Sequence, residues 1–459
     1  MISLESSHQC IPKKIFSGGI AVRRVCLYFF MMVVFFSTLA IGILIVKHKP
    51  LGNDEIHSQY YNVTYINYKE ILLGKVRGDR NNCPLFYLLQ KLTCQIGQFE
   101  APPSWLKDVR KSYDPYPMIL LRFPSILFIA GSVTLLFFYF SKFYSFFLGG
   151  MSVLISFSLS AVWEFMTEAR PYALWIFLLT LQTLIFVHIL NNRHPKLMDQ
   201  SAGQNQKLMK GLIGINILLS LTTVLSMINI FFISCFLWFN PDKRGQISPR
   251  FDQSALRADF VIAKSGLSLR RWKDLFFAFV VPLAISIYYS QQVPQSPLKI
   301  GDPVHELIFL NAPFEHILII LLPWAVLGLV VCTRALRKRF TVQTQDNTMS
   351  MPMVPSRECV LFHGHFFILL STAVLLIFYY ILTFEETTAW KFFSSRYCLF
   401  LTAPVIVGCT LAIEQIRRFF SQNRWMTLNF FIVIAGLIGH AYMDNFLIWR
   451  LYDYFLQHN

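Results

Sequence analysis

Charged residues are scarce in this chain. Of its 459 residues only 14% are Asp, Glu, Lys or Arg, whereas 55% are hydrophobic, and the mean hydropathy is +0.49. A soluble globular domain is about one-quarter charged. The scarcity of charge therefore excludes an ordinary soluble domain. Several apolar runs also reach the roughly 20 residues that a helix needs to cross a bilayer. The sequence predicts an all-α polytopic membrane protein.

Several common motifs are missing as well. No two cysteines have the Cys-x-x-Cys spacing of a redox or metal site, and no internal repeat is visible. The net charge of +16 is not accompanied by a basic and aromatic nucleic-acid module, so we expect no nucleic-acid partner. The basic residues lie in loops between apolar runs, where the positive-inside rule places them. Cys83 and Cys94 share one predicted loop, and their pairing stays open at this stage.

The apolar runs predict about eleven transmembrane helices. The first run follows a basic N-terminus but is longer than the hydrophobic region of a signal peptide, which is roughly 7–15 residues. We therefore expect it to be retained as a span. The predicted spans are 25–46, 118–140, 143–163, 172–190, two short spans within 211–239, 275–289, 317–331, 360–383, 397–416 and 426–442.

A short apolar stretch decides the predicted orientation. Residues 84–97 are too few to cross a bilayer and have the length of an interfacial helix, so we place all of 47–117 on one side of the membrane. With the N-terminus inside, the basic residues concentrate in inner loops such as 240–273 and 334–359. The outer side then carries the chemistry-bearing residues, namely Asp54, Glu168, Arg170, Glu306 and Arg396.

Two adjacent carboxylates, Asp54 and Glu55, follow the first predicted span. A carboxylate near a low-dielectric interface has a raised pKa, which suits a general base that removes a proton from an acceptor hydroxyl or amine. The alternative is a solvated loop acid or a helix N-cap, because Asp caps helices well. Both interpretations remain open from the residues alone.

Three arginines stand at the outer ends of predicted spans: Arg122, Arg170 and Arg396. A charge at the start of a membrane helix is costly unless it is paired or functional, and a guanidinium group matches a phosphate bidentately. We therefore expect an anionic head-group site near these arginines. The alternatives are a snorkelling arginine and a surface pair between Arg170 and Glu168.

A metal site has weaker support. Asp302, His305 and Glu306 share one predicted outer loop and could bind a divalent metal, with His57 as a further ligand. Their spacing matches no strong metal motif, so no cofactor is certain from the sequence. The triplet that begins at Asn62, Asn-Val-Thr, is an acceptor pattern for N-glycosylation.

Four motifs, taken in order, resemble the GT-C glycosyltransferases, in particular protein O-mannosyltransferases, the lipid A aminoarabinose transferase and Rgt-type membrane sugar transferases. They are Asp54-Glu55, Pro84-Leu85-Phe86-Tyr87-Leu88-Leu89, Arg122-Phe123-Pro124-Ser125 and Glu168-Ala169-Arg170-Pro171-Tyr172-Ala173-Leu174. A later pair, Arg396-Tyr397, is similar to an Arg-Tyr pattern near the end of that family. The chain departs from the family at Asn82-Cys83, where His-Pro is usual, and we expect no large soluble C-terminal domain.

The resemblance implies a GT-C-like catalytic core in residues 25–240, a cytoplasmic segment in 1–24 and a C-terminal membrane region in 241–459. It also implies a polyprenyl-phosphate sugar donor, a lipid, glycan or protein acceptor, and inversion at the anomeric carbon. Asp54 would be the base and Glu55 would orient the acceptor or tune Asp54. The implied substrate-binding residues are Arg122, Glu168, Arg170, Tyr172, Arg396 and Tyr397.

The expected location is a bacterial inner membrane with the site facing the periplasm or the exterior, because no organelle retrieval signal stands out. A transporter or lipid flippase is the main alternative, since it too would have many spans and intramembrane charges. A structural membrane protein is a third alternative. The absence of a repeat, and the collection of charges at one face, favour the transferase.

Overall fold

The computed structural model describes residues 17–49, 51–76, 83–101, 115–191, 198–239, 273–274, 276–291, 399 and 402–420. Every secondary-structure element in these ranges is helical, as the apolar runs predict. The α-helices are α1 (Ser17–His48), α2 (Asn53–Gln59), α3 (Tyr68–Leu72), α4 (Pro84–Ile96), α5 (Pro115–Phe143), α6 (Phe146–Ser158), α7 (Ser160–Met166), α8 (Tyr172–Asn191), α9 (Met198–Ser220), α10 (Met227–Phe239), α11 (Phe276–Gln291) and α12 (Thr402–Phe420). A π-helical turn, Tyr60–Thr64, continues α2, and a 3₁₀ turn, Val224–Ser226, precedes α10.

Three of the described helices are long and apolar enough to cross a membrane. They cover Val25–His48, Pro115–Phe143 and Tyr172–Leu190, and each coincides with a predicted span. Shorter apolar helices cover Phe146–Ser158, Val224–Leu237, Phe276–Gln291 and Thr402–Leu411. The chain is thus a helical membrane protein. The total of about eleven spans stays a prediction, because the runs at 317–331, 360–383 and 426–442 lie outside the described residues.

The third predicted span, 143–163, is interrupted. The helix stops at Ser158, Leu159 adopts an extended conformation, and α7 begins at Ser160. The indole N–H of Trp163 donates a hydrogen bond of 2.6 Å to the carbonyl of Phe157, one of the carbonyls that the end of α6 leaves without a helical partner. The two rings also stack, with 5.0 Å between their centroids. The side chain of Trp163 therefore stabilises the break.

A second break lies within 211–239, where the sequence predicts two short spans separated near Ser226 and Asn229. Helix α9 ends at Ser220 and α10 begins at Met227, so the α-helix is interrupted over 221–226, where the 3₁₀ turn lies. The N-terminus of α4 docks on it: the N–H of Cys83 donates to the carbonyl of Thr222 at 3.1 Å, and the N–H of Leu85 donates to that of Leu221 at 3.0 Å. These hydrogen bonds satisfy two backbone carbonyls of the interrupted helix, since lipid hydrocarbon has no donors for them.

Helix α5 is central in the described part of the chain and packs against α1, α6 and α8. The approach to α1 is close at Gly42, where an added Cβ would lie 2.5 Å from a side-chain carbon of Ile126. The approach to α6 is close at Gly149, where it would collide with the Ser141 side chain. Glycine is required at both positions because any larger residue would push the helices apart.

Buried polar side chains connect three helices farther along the chain. The amide N–H of Gln182 on α8 donates to Asn216 Oδ1 on α9 at 2.8 Å, and Asn216 Nδ2 donates to the carbonyl of Ala278 on α11 at 2.8 Å. Both side chains are fully buried. Interhelical hydrogen bonds of this kind hold membrane helices in register, so the network joins α11 to the first part of the bundle.

Candidate functional site

The two predicted carboxylates lie on a short helix just after the first span. Gly52 caps α2 with an extended backbone (φ −71°, ψ 154°), and its N–H donates 2.8 Å to Glu55 Oε2. This is the reach-back half of a capping box, in which the acid at the third helical position binds the N–H of the capping residue. Asp54 is the second residue of α2. Its backbone is therefore fixed by the same turn that holds Glu55.

Glu55 accepts four hydrogen bonds. Oε1 accepts from Arg122 Nε at 2.9 Å and from the backbone N–H of Ala169 at 2.6 Å. Oε2 accepts from Arg122 Nη2 at 2.6 Å and from the N–H of Gly52 at 2.8 Å. The side chain is buried, with 5% of its surface exposed. A carboxylate has about four lone-pair sites, so Glu55 is saturated by the protein.

Arg122 lies in α5 and is 0% exposed. Besides its bidentate contact with Glu55, it donates through Nη1 to the backbone carbonyl of Lys49. Burying a single charge is very costly, whereas a hydrogen-bonded pair of opposite charges is tolerated. These contacts favour a structural role for Arg122, in which it holds Glu55 and the end of α1, over direct contact with a phosphate.

The turn before α8 supplies the third part of the site. Its Ala169 N–H binds Glu55, and the next residue, Arg170, is 95% buried. The guanidinium carbon of Arg170 lies 5.2 Å from the centre of the Tyr172 ring, a distance typical of a cation–π contact. The Tyr172 ring packs edge-on against Phe165 at 4.9 Å. This arrangement keeps Arg170 beside the Asp54-Glu55 turn.

Lys49 is a site residue that the sequence reasoning missed. It is half-buried, and its Nζ donates 2.7 Å to Thr167 Oγ1, while its carbonyl accepts from Arg122. Burial lowers the pKa of Lys49, and the positive charge of Arg122 lowers it further, against the raising influence of Glu168, Glu55 and Glu164. The sequence signal that could have identified Lys49 is its position three residues after the apolar run 25–46.

The pKa of Glu55 is lowered despite its burial. Burial alone would raise the pKa, but the hydrogen bonds and charge of Arg122, together with the N–H groups of Gly52 and Ala169, outweigh it. A carboxylate whose lone pairs are occupied and whose pKa is lowered is a poor proton acceptor. Glu55 is therefore suited to positioning the α2 backbone through its contact with Gly52.

The structure thus brings together Glu55, Arg122 and the turn from Thr167 to Tyr172, including Glu168, which is partly buried and electrostatically close to Lys49. The pair Arg396 and Tyr397 lies outside the described residues, as do the metal candidates Asp302, His305 and Glu306. His57 is exposed and stacks on Tyr61. Among the described residues no three His, Cys, Asp or Glu side chains form a metal-binding group.

Two minor predictions can also be judged. Cys83 and Cys94 are both buried free thiols and do not pair with each other. Gln59 donates 3.2 Å to the sulfur of Cys94, and burial raises the pKa of Cys83 to about 12. Asn62 of the glycosylation pattern is 0% exposed within the π-helical turn, so its side chain is closed to modification in the folded chain.

No protein-family model matches the chain, and no curated protein matches its sequence.

Proposed function

We propose that the chain is a membrane glycosyltransferase that moves a sugar from a polyprenyl-phosphate donor to an acceptor on the extracytoplasmic side, with inversion. One observation carries the proposal. Glu55 directly contacts residues from two other resemblance motifs, Arg122 and Ala169, which are 67 and 114 positions away. Three motifs that are far apart in sequence therefore meet at one place, as parts of a single site do.

The location of this meeting point also supports the proposal. It lies directly after the membrane span Val25–His48 and directly before the span Tyr172–Leu190. A polyprenyl-phosphate donor has its phosphate at the membrane surface and its tail in the hydrocarbon. A polar site at the ends of two spans is at the depth where that phosphate lies.

Asp54 acts as the general base in the proposed reaction. It takes the proton from the acceptor hydroxyl or amine as that atom attacks the anomeric carbon. The bond between the anomeric carbon and the phosphate oxygen breaks at the same time, and the leaving group is a polyprenyl phosphate monoester. Attack from the face opposite the phosphate inverts the configuration.

Positive charge near the leaving phosphate lowers the barrier, because the phosphate gains charge as the bond breaks. Arg170 is our candidate for this role, with Tyr172 fixing its guanidinium group. Arg396, Tyr397 and Glu168 remain proposed substrate contacts. Glu55 and Arg122 position α2 rather than contact the sugar, and we propose no obligatory metal.

A donor panel tests this function. Purified wild-type protein is incubated in detergent with polyprenyl-phosphate sugars and with glycan, glycolipid and peptide acceptors, with and without EDTA. Mass spectrometry of the acceptor and of the released polyprenyl phosphate is the readout. We expect transfer from at least one donor with an inverted linkage. If every donor stays intact with every acceptor, and the protein translocates lipid in proteoliposomes, the chain is instead a flippase.

We propose that the active protein lies in a bacterial inner membrane.

A further inference from the structure

The helical segment that carries the site has two different faces. One face is buried in the protein and contains Glu55, Ile56, Gln59, Asn62 and Val63, each at most 5% exposed. The other side carries rings that are exposed or only partly buried. We call these residues the aromatic face, and they are His57, Tyr60, Tyr61 and Tyr65.

The rings of the aromatic face contact one another. His57 and Tyr61 are parallel, with an interplanar angle of 2° and 6.0 Å between their centroids. Tyr60 packs edge-on against Tyr61 at 5.1 Å and lies 4.2 Å from Tyr65. A hydrogen bond with Tyr65 raises the pKa of the Tyr60 hydroxyl to about 12. The four rings form one continuous surface with fixed geometry.

The backbone in this region departs from a regular α-helix. The segment Tyr60–Thr64 is a π-helical turn, closed by the N–H of Tyr65 donating 3.2 Å to the carbonyl of Tyr60. Such turns are uncommon and occur frequently at functional sites. Here the wider turn brings two consecutive tyrosines and Tyr65 into one cluster.

The aromatic face is aligned with the candidate base. Positions three apart lie on one side of an α-helix, and position 54 precedes His57 by three residues within α2. The ring of Tyr61 stacks on that of His57. Glu55 faces the protein interior, where it is saturated by hydrogen bonds. A molecule that reaches position 54 from the exposed side of α2 therefore meets the rings of His57 and Tyr61.

We propose that the aromatic face is the acceptor subsite and that it binds a pyranose ring, so that the acceptor is a glycan or the sugar of a glycolipid. This inference rests on the proposed function and names its acceptor class. The C–H face of a pyranose is apolar and packs on an aromatic ring, while its hydroxyls need hydrogen-bond partners. Every ring of the aromatic face has a polar N–H or O–H group, which satisfies both needs.

The composition of this face differs from that of the exposed surface of α1. The exposed residues of α1 include one tyrosine, Tyr28, but most are apolar, such as Phe29, Met32, Phe36 and Leu44, as contact with hydrocarbon requires. The aromatic face contains no Phe, Met or Leu. A ligand with alternating apolar and hydroxylated surfaces fits it better than an acyl chain.

Saccharide binding tests the subsite without requiring turnover. Saturation-transfer NMR with the full-length protein in detergent measures binding of free pyranosides, with an acyclic polyol as the negative probe. We expect the wild type to bind pyranosides, Tyr61→Ala to weaken binding about tenfold through loss of ring stacking, and Tyr61→Phe to retain most of it. His57→Ala should weaken binding in the same direction. Tyr116→Ala, at an exposed tyrosine in the first turn of α5, is the matched control and should bind like the wild type.

The possible outcomes distinguish a failure of the proposed acceptor subsite from a failure of the proposed transferase activity. Equal pyranoside binding by the wild type and Tyr61→Ala, or no more binding of pyranosides than of the polyol, overturns the subsite even if sugar transfer is found. Such a result would leave the aromatic face as a membrane-surface anchor. Pyranoside binding that depends on Tyr61, in a chain that transfers no sugar from any donor, supports the subsite and contradicts the transferase.

Discussion

Glu55 and Arg122 form a bidentate ion pair with distances of 2.6 and 2.9 Å across 67 positions of sequence. The pair is fully enclosed, and both of its remaining acceptor sites are filled by backbone N–H groups of Gly52 and Ala169. It joins the segment after the first span to α5 and to the turn before α8. The geometry of the whole site depends on this one contact.

Removal of Glu55 should destabilise the protein strongly. Glu55→Ala leaves the charge of Arg122 buried without its partner, which costs about 3–5 kcal/mol. The double replacement Glu55→Leu with Arg122→Met should recover much of this loss, because no buried charge remains. Thermal unfolding in detergent measures both variants.

The control for this experiment is Glu70. Like Glu55 it accepts a capping-box hydrogen bond, here from the N–H of Asn67 at 3.0 Å, but its ion pair with Lys75 is a long surface contact of 3.8 Å. Glu70→Ala should change stability by about 1 kcal/mol. Equal effects at positions 55 and 70 would mean that the enclosed pair does not form.

The ion pair should also give the protein a defined sensitivity to acid. The folded pKa of Glu55 lies below its ordinary value of 4.5, so its stabilising contribution is complete above that value. The contribution is lost as the pH falls through the lower, folded pKa. We expect the difference in unfolding free energy between wild type and Glu55→Gln to be constant above pH about 5 and to shrink below about 4. A difference that grows on acidification would contradict the assignment.

Lys49 should position the turn before α8 without adding much to the free energy of unfolding. Burial and the charge of Arg122 disfavour its ammonium form, so Lys49→Met removes an unfavourable charge together with the hydrogen bond to Thr167. We expect an unfolding free energy within about 1 kcal/mol of the wild type. Sugar transfer, where it is found, should fall because the turn before α8 loses its link to α1.

A double-mutant cycle with Thr167→Val measures this link directly. The two substitutions should be non-additive in their effect on donor KM, since both remove the same contact. Strict additivity, or a stability loss as large as that of Glu55→Ala, would contradict the role given to Lys49.

The residues of the buried network formed by Gln182, Asn216 and Ala278 should contribute unequally to stability. Asn216→Leu breaks both hydrogen bonds, to Gln182 and to the carbonyl of Ala278, whereas Gln182→Leu breaks one. Interhelical bonds of this kind contribute about 0.6–2 kcal/mol each, so Asn216→Leu should be the more destabilising. Thr180→Val, which removes only a bond within α8 to Ile176, is the control. Thermal unfolding that ranks Gln182→Leu above Asn216→Leu would contradict the network.

The sequence predicts the spans of this chain better than its contacts. Long apolar runs predict α1, α5 and α8, because a helix needs about 20 residues to cross the hydrocarbon core of a bilayer. The 13 residues of α4 are too few for a span, and they form a helix that packs against α3 and α5. Ser226 and Asn229 indicated the break in 211–239, whereas the break at Leu159 was not predicted, although Ser158 and Ser160 flank it.

The sequence singled out Glu55, Arg122 and the turn before α8, but not the contacts among them, and the roles assigned to these residues stay predictions. Glu55 and Arg122 were singled out as a catalytic carboxylate and a phosphate ligand, since a sequence shows charge but not burial. Their pairing depends on how α1 and α5 pack, which no local pattern encodes. Lys49 escaped notice for a related reason: a lysine just after a span is usually a solvated membrane-surface residue.

The most direct test of the proposed chemistry is sugar transfer by Asp54→Asn. The substitution removes the proposed base while the neighbouring Glu55 keeps its hydrogen bonds, so the variant should unfold at the temperature of the wild type. General acid–base catalysis contributes roughly 10²–10⁴-fold, and we expect a loss of that size in kcat with little change in donor KM. Wild-type turnover by a folded Asp54→Asn protein would contradict the assignment of Asp54 as the base.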